Sequence, residues 1–321
     1  MSKKLPKVVL TEHLDDEALR WLDARTTLVR QSHEQPAALR KAVKDAEGLV
    51  VRTYTVVDAK LLRGAPKLKV VGRAGVGLDN IDLPACAKRG VTVVYTPDAN
   101  TQAVVEYVTG LMLDAVRPRP AMACYVPPPR FHELRVTHIG RQLDGMVLGV
   151  LGMGRIGRRV AQVAHAIGMR VLYNDLLTRR QLRLGDDDPS EFVDKATLYR
   201  EADVLTIHVD GRPENRQLLD AEALAMLKRT CVFINAARGM LIDNDALAAW
   251  AKANAKHGAA AYLDVHDPEP PPDDYPLLGI DNVKLFPHLA SRTPQAMANM
   301  SWVVRDVVRV LEGKKAKYPA G

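Results

Sequence analysis

Leu148-Gly149-Val150-Leu151-Gly152-Met153-Gly154-Arg155-Ile156-Gly157 lies near the middle of a 321-residue chain and decides how the rest is read. An apolar run enters G-x-G-x-x-G, and an amphipathic segment, Arg158 to Ile167, leaves it. Gly168 stops that segment, and Met169-Arg170-Val171-Leu172-Tyr173-Asn174-Asp175 reads as a second strand ending in a carboxylate. Strand, glycine turn, helix, strand and acid in this order form the fingerprint of a dinucleotide site. Gly152 permits the tight turn, Gly154 lets backbone approach a pyrophosphate, and Gly157 lets helix and strand pack closely. The helix N-terminus offers N–H groups and a positive dipole end to the phosphates. Asp175 lies 23 residues beyond Gly152, near the roughly 20 expected for an acid on the adenosine ribose. NAD is the expected cofactor, because that carboxylate repels a 2′-phosphate. Arg179 and Arg180, just downstream, are read as solvated surface rather than as phosphate partners.

Outward from this motif the pattern alternates. Downstream come a helix from Pro189 to Arg200, a strand Asp203 to Val209, a helix Ala221 to Lys228 and a strand Cys231 to Asn235. A helix Asn244 to His257 follows, then strands Ala259 to Asp264 and Val283 to Phe286, and one helix Pro294 to Leu311. Upstream, Lys7 to Leu10, Gly48 to Val51, Leu68 to Val71 and Val91 to Val94 read as strands. Asp15 to Ala24, Pro36 to Ala46 and Val57 to Leu62 read as helices between them. Strands alternating with helices imply parallel sheets covered on both faces, hence an α/β fold of two doubly wound domains. Thr101 to Val116 is a long helix, apolar on most sides, which points to a domain bridge or a second subunit. The segment around Pro127-Pro128-Pro129 reads as an irregular surface excursion.

Composition narrows the class. The chain is too long for one ordinary core. Its 47% hydrophobic and 26% charged residues are ordinary for a globular protein, and no apolar run reaches a membrane span of about 18 residues. The N-terminus lacks the apolar core of a signal peptide. Cys86, Cys124 and Cys231 are odd in number and widely spaced, which suggests free thiols, a reducing cytoplasmic setting and no metal site. The net charge of +7 is scattered among nearly as many acids, so anionic small molecules are expected rather than nucleic acid.

Three strand ends carry reactive groups. Asn235-Ala236-Ala237-Arg238-Gly239 offers a guanidinium for a carboxylate. Leu263-Asp264-Val265-His266-Asp267-Pro268-Glu269-Pro270 offers carboxylates, and Phe286-Pro287-His288 an imidazole able to move a proton near neutral pH.

These segments, with Gly152 to Gly157 and Val71-Gly72-Arg73-Ala74-Gly75-Val76-Gly77-Leu78-Asp79-Asn80-Ile81-Asp82, lie in the order that resembles the D-isomer-specific 2-hydroxyacid dehydrogenases, the phosphoglycerate dehydrogenase branch above all. The resemblance covers nearly the whole chain. It implies a Rossmann NAD-binding domain, 101–291, inserted into a flavodoxin-like substrate domain, 1–100 plus 292–321, with the active site in the interdomain cleft. It implies that Arg238 binds the substrate carboxylate, that His288 is the general acid/base and that Glu269 holds its imidazole and raises its pKa. Asp264 would bond the nicotinamide carboxamide. Gly152, Gly154, Arg155, Ile156, Gly157, Asp175, Val209, Ala236, Ala237 and Arg238 would line the cofactor with His288. Gly75 and Val76 would offer backbone amides to the substrate carboxylate. Arg52 and Arg73, after first-domain strands, would meet a substrate phosphate, or else help hold the carboxylate or pair with nearby acids. The same resemblance allows a glyoxylate, hydroxypyruvate or D-lactate-type reductase, or an NAD(H)-sensing corepressor-like protein. A homodimer through Thr101 to Val116 and the neighbouring nucleotide-domain surface is expected, and no serine-sensing module after Leu311. The chain departs from the family pattern at Glu133, where Trp is usual, at Asp210, where Pro is usual, and at Tyr95, His266-Asp267 and Ser291-Arg292-Thr293.

Overall fold

Two all-parallel sheets carry the chain in the computed structural model, which describes residues 4–117 and 119–320. They belong to two compact units. The first runs to Gln102 and resumes at Ser291; the second is Ala103–Ala290.

The first unit contains β1 (Lys7–Leu10), β2 (Thr27–Arg30), β3 (Gly48–Val51), β4 (Val70–Arg73) and β5 (Thr92–Tyr95), in the order β2-β1-β3-β4-β5. Alternate side chains enter different cores, Val9, Leu49 and Val71 on one face and Val8, Val50 and Val70 on the other. Burial on both faces explains why these strands read as continuous apolar runs. The last helix, Val304–Leu311, covers the second face with Val304, Val307 and Val308. The chain beyond it turns back along β5. Tyr95 N–H donates to the Tyr318 carbonyl (3.2 Å) and Ala320 N–H to that of Val93 (2.8 Å). Buried Asp306 fixes this tail by accepting from the amides of Lys317 (2.9 Å) and Tyr318 (2.7 Å).

The second unit contains β6 (Val147–Leu151), β7 (Arg170–Asn174), β8 (Glu191–Phe192), β9 (Val204–Ile207), β10 (Val232–Asn235), β11 (Ala260–Leu263) and β12 (Val283–Leu285). Their order is β12-β11-β10-β9-β6-β7-β8. The chain reverses direction across the sheet between β6 and β9, so the glycine turn after β6 stands at the switch point, where such sheets bind ligands. Phe233 enters one core while Val232 and Ile234 enter the other. No helix among the described residues is long and apolar enough to cross a membrane.

Several expectations are corrected. Pro294 to Leu311 is two helices, Pro294–Ser301 and Val304–Leu311. The ladder shifts at the junction, where Trp302 and Val303 N–H donate to the i−3 carbonyls of Asn299 and Met300, while Ser301 Oγ donates to the Met297 carbonyl (2.8 Å) and accepts from Asp15 N–H (2.9 Å). Pro189 to Arg200 divides into edge strand β8 and helix Lys195–Glu201, capped by Asp194. The triple-proline segment is not irregular throughout: Pro128 opens helix Pro128–Thr137, since Pro is accommodated in a first turn where no N–H is needed. Strand β2 and helix Leu83–Lys88 were not legible. β2 is four residues at a sheet edge, none fully buried, so it lacks an apolar signature.

Candidate active site

Successive neighbouring strands of the second sheet present the expected groups at their carboxyl ends. After β6, Gly152 has φ +97°, and a Cβ there would lie 2.8 Å from the His208 carbonyl carbon that follows β9. A Cβ at Gly157 would lie 2.1 Å from the Gly152 carbonyl oxygen, whereas one at Gly154 would meet nothing within 4 Å. Helix Arg155–Ala166 starts here with no side chain capping its N-terminus. Open space at Gly154 before an uncapped helix start suits a pyrophosphate, so the residues present fit a dinucleotide. Arg155 and Ile156 occupy the first helical positions. Asp175 braces the turn, accepting from Met153 N–H (2.7 Å) and Leu177 N–H (2.8 Å). Arg179 is not solvated surface: its guanidinium donates to the carbonyls of Gly185, Asp188 and Ser190. Arg180 is exposed.

After β9, burial pushes His208 down to about 3, so its imidazole is neutral. Half-buried Val209 follows it. Asp210, at the position where Pro is usual, holds Arg212 through two contacts (2.7 and 2.6 Å) and accepts from Asn215 Nδ2, closing this loop. After β10, fully buried Asn235 donates through Nδ2 to the Arg238 carbonyl (2.8 Å) and accepts at Oδ1 from Ala237 N–H (2.9 Å). That side chain shapes the Ala236-Ala237-Arg238 turn. Gly239 then passes so close to the next loop that a Cβ would lie 2.0 Å from the His266 carbonyl carbon.

After β11, Asp264 has no solvent exposure. Its Oδ1 accepts from Tyr107 Oη–H (3.0 Å) and Leu289 N–H (2.8 Å), its Oδ2 from Ala290 N–H (2.8 Å). Burial raises its pKa against the pull of those donors. The structure thus ties Asp264 to the turn immediately after His288. Buried His266 reaches the Phe286 carbonyl with Nε2 (2.9 Å), while its backbone N–H approaches Glu269 Oε2 (3.4 Å). After β12, His288 adopts φ +55°, a left-handed backbone uncommon for a residue with a side chain and typical of constrained functional sites. Its Nδ1 lies 2.7 Å from Glu269 Oε1, and both side chains are more than a third exposed. Burial alone would raise the Glu269 carboxyl. The hydrogen bond and charge of His288 and the His266 amide hold it below the ordinary carboxylate value. Tyr107, Asn235 and His266 were missed as site-forming residues. A tyrosine on an otherwise apolar helix was the available signal, because a half-buried hydroxyl needs a partner.

In the first unit, Arg52 is 8% exposed, and its guanidinium meets the His13 carbonyl (3.2 Å) and Met297 Sδ (2.9 Å). Burial, and then the neighbouring Arg292 cation, lowers its pKa. Glu12, unremarked in the sequence, accepts from the backbone amides of Arg52, Thr53, Tyr54 and Thr55. Arg73 lies against Gly75, where a Cβ would be 1.4 Å from Arg73 Nη1. The Gly75 N–H donates to the Arg73 carbonyl (2.9 Å), so that amide is used within its own turn; half-buried Val76 follows.

The model of the D-isomer specific 2-hydroxyacid dehydrogenase, NAD binding domain, matches residues 109–290. A D-3-phosphoglycerate dehydrogenase of Methanocaldococcus jannaschii is 36% identical over 97% of this chain, which spans only 58% of that protein. A glyoxylate reductase of Thermofilum pendens is 33% identical, with 96% of this chain and 92% of that one covered. A solved structure of a Thermus thermophilus protein superposes with a TM-score of 0.84 at 32% identity, covering 98% of this chain and 100% of that one. With the glycine turn, the strand-end His and Glu and these likenesses together, the chain belongs to the D-isomer-specific 2-hydroxyacid dehydrogenase family, and its second unit is that family's NAD-binding domain.

Proposed function

We propose that this protein is an NAD-dependent D-2-hydroxyacid dehydrogenase whose substrate pair is 3-phosphoglycerate and 3-phosphohydroxypyruvate, the reaction that opens serine biosynthesis. The observation that carries the enzyme reading is the 2.7 Å contact between His288 Nδ1 and Glu269 Oε1. With Nδ1 engaged, Nε2 is the atom left to exchange a proton with the substrate oxygen. Bound nicotinamide supplies or accepts a hydride at its C4. In reduction, imidazolium at His288 delivers a proton to the oxygen on C2; in oxidation the neutral ring removes it. Glu269 stabilises the imidazolium. Arg238 grips the carboxylate and opposes the negative charge that develops on the carbonyl oxygen. Gly152 to Gly157 cradle the pyrophosphate, Asp175 bonds the ribose, and Ile156, Val209, Ala236 and Ala237 line the bases. Arg179 is already held by three carbonyls, which supports NAD over NADP.

Support for a phosphorylated substrate comes from the first unit. Arg52, Arg73 and Arg292 exceed what one carboxylate needs, and Arg52 lies beside a second cation, Arg292, with Glu12 as the anion already near it. The second reading is a glyoxylate or hydroxypyruvate reductase, favoured by the nearly full-length likeness to the Thermofilum protein. NADH oxidation against 3-phosphohydroxypyruvate, hydroxypyruvate and glyoxylate separates them: the highest kcat/KM falls on the phosphorylated acid if the first reading holds. Absence of turnover on every 2-oxoacid favours a cofactor-sensing binding protein.

A second copy of this chain is the proposed partner, through the exposed part of helix Thr101–Val116 and the adjoining surface of the second unit. Val104, Val105, Val108, Leu111, Met112 and Val116 already pack within the second unit's core. Within residues 101–140, Leu113, Met122, Tyr125, Phe131, Val136 and Ile139 are exposed large apolar side chains. Exposed apolar side chains gathered in one segment are candidates for burial against a partner. A monomer in light scattering at micromolar concentration overturns this assignment.

A further inference from the structure

The first unit contains a cavity of about 630 Å³ that none of the proposed catalytic residues lines. The volume falls within the range typical of small-molecule sites, about 300–1,000 Å³. Four aromatic rings border it: Trp21 from helix Asp16–Asp23, Tyr95 at the end of β5, Trp302 between the last two helices, and Tyr318 in the tail. The two indoles meet edge to face, with centroids 6.2 Å apart and an interplanar angle of 76°. Each indole carries a guanidinium: Arg25 Cζ lies 4.2 Å from the Trp21 ring centroid and Arg305 Cζ 3.8 Å from that of Trp302.

The charge balance of the walls is uneven. Asp306 is buried, accepts from two tail amides and faces Arg309 at 3.6 Å. Glu312 pairs with Lys314 at 2.7 Å. Asp98 is a third acid on the wall; against these three stand the cations Arg25, Arg305, Arg309 and Lys317, so the recess has one positive charge in excess. A lone arginine on a tryptophan is ordinary surface packing. Two such pairs on touching indoles, in one concavity closed by a pinned tail, form a more specific arrangement.

We propose that this cavity is a second ligand site, selective for a planar aromatic carboxylate. The ring would pack among the indoles and phenols with offset or edge-to-face geometry, and the carboxylate would take charge-assisted hydrogen bonds from Arg25 and Arg305. A neutral aromatic of the same size lacks the second contribution, and a small aliphatic acid lacks the first. The inference uses the first unit alone and stands whether or not the enzyme reading holds.

Isothermal titration of the full chain, saturated with NADH, tests it with 2-naphthoate, 2-naphthalenemethanol and acetate. Naphthoate binds saturably at one site, the neutral alcohol at least about tenfold more weakly, and acetate without measurable heat. The exposed pair Arg25→Gln/Arg305→Gln loses about tenfold or more in naphthoate affinity while its melting temperature and turnover stay unchanged. Arg238→Ala leaves naphthoate binding as it was. Trp302→Leu weakens naphthoate and the neutral alcohol alike. No naphthoate binding, equal binding of acid and alcohol, or binding abolished by Arg238→Ala but indifferent to the arginine pair overturns the proposal.

Discussion

The two parallel sheets treat the carboxyl ends of their strands in opposite ways. In the second unit, the ends of β6, β9, β10, β11 and β12 carry a bare glycine turn, a half-buried valine, an arginine turn, a buried aspartate and an exposed His–Glu pair. In the first unit, the corresponding loops are tied inward. Glu12 gathers four backbone amides, and Arg52 is nearly buried against a carbonyl and a thioether. A group that exchanges a proton must keep one atom open to the reactant, which is what the role proposed for His288 requires of Nε2. A group that only positions an anion works better when its side chain is held, because rigidity reduces the entropy lost on binding. The difference between the sheets is the one the proposed function calls for, proton transfer in the second unit and anchoring in the first.

The largest test removes the open atom. His288→Ala is expected to lower kcat by about 100-fold or more, the usual scale of general acid–base catalysis, with NADH affinity in a fluorescence titration nearly intact. Near-normal turnover would sink the assignment. Next is the buried support. Asp264→Asn turns one acceptor into a donor opposite the Leu289 or Ala290 amide. An unsatisfied buried group costs about 1–3 kcal/mol, so thermal melting should fall and kcat with it as the His288 turn loosens. Unchanged melting and turnover would show that the turn holds itself.

The pH dependence sharpens the contrast between the two carboxyls of this loop. Glu269 is held below its ordinary value of 4.5, so its contribution is complete above about that pH and is lost only as pH falls through the lower folded value. The His288–Glu269 pair should therefore survive mild acid. Glu269→Gln removes the charged partner of His288 Nδ1 and should lower kcat for 2-oxoacid reduction about tenfold or more, the scale of one charge-assisted hydrogen bond. An unchanged kcat refutes the coupling. On the first sheet, Arg73→Ala should reduce kcat/KM for 3-phosphohydroxypyruvate more than for glyoxylate; equal losses move the protein to a general 2-oxoacid reductase. The smallest effect belongs to His266→Phe. It removes the Nε2 contact to the Phe286 carbonyl and should lower kcat by only a few-fold, roughly 1 kcal/mol, the worth of one hydrogen bond. A hundredfold loss there would make His266 a participant rather than a brace.

The chemistry of the site was legible because it is written in contiguous segments. G-x-G-x-x-G with its flanking strands, the Asn235 to Gly239 turn and the two strand ends with Glu269 and His288 each combine an apolar run with a polar terminus. The braces were not legible. Tyr107 bonds Asp264 across 157 positions of sequence, and His266 reaches Phe286 across 20. Neither spacing belongs to a helix or strand period, so no local pattern announces them. The split of the last helix escaped too, since its junction at Trp302 and Val303 carries no Gly or Pro to mark it.

The sequence by itself determined the alternation of strands and helices, and hence parallel sheets, because burial on both faces demands apolar runs bounded by turns. It also determined which strand ends carry an acid, a base or a cation. Only the tertiary structure decided which of those groups remain available. Arg52 and Arg179 look alike in the sequence as cations near a ligand. Folding commits the Arg179 guanidinium to three carbonyl oxygens, because a buried donor left unpaired is costly, holds Arg52 by one carbonyl and a thioether, and gives His288 Nδ1 a carboxylate.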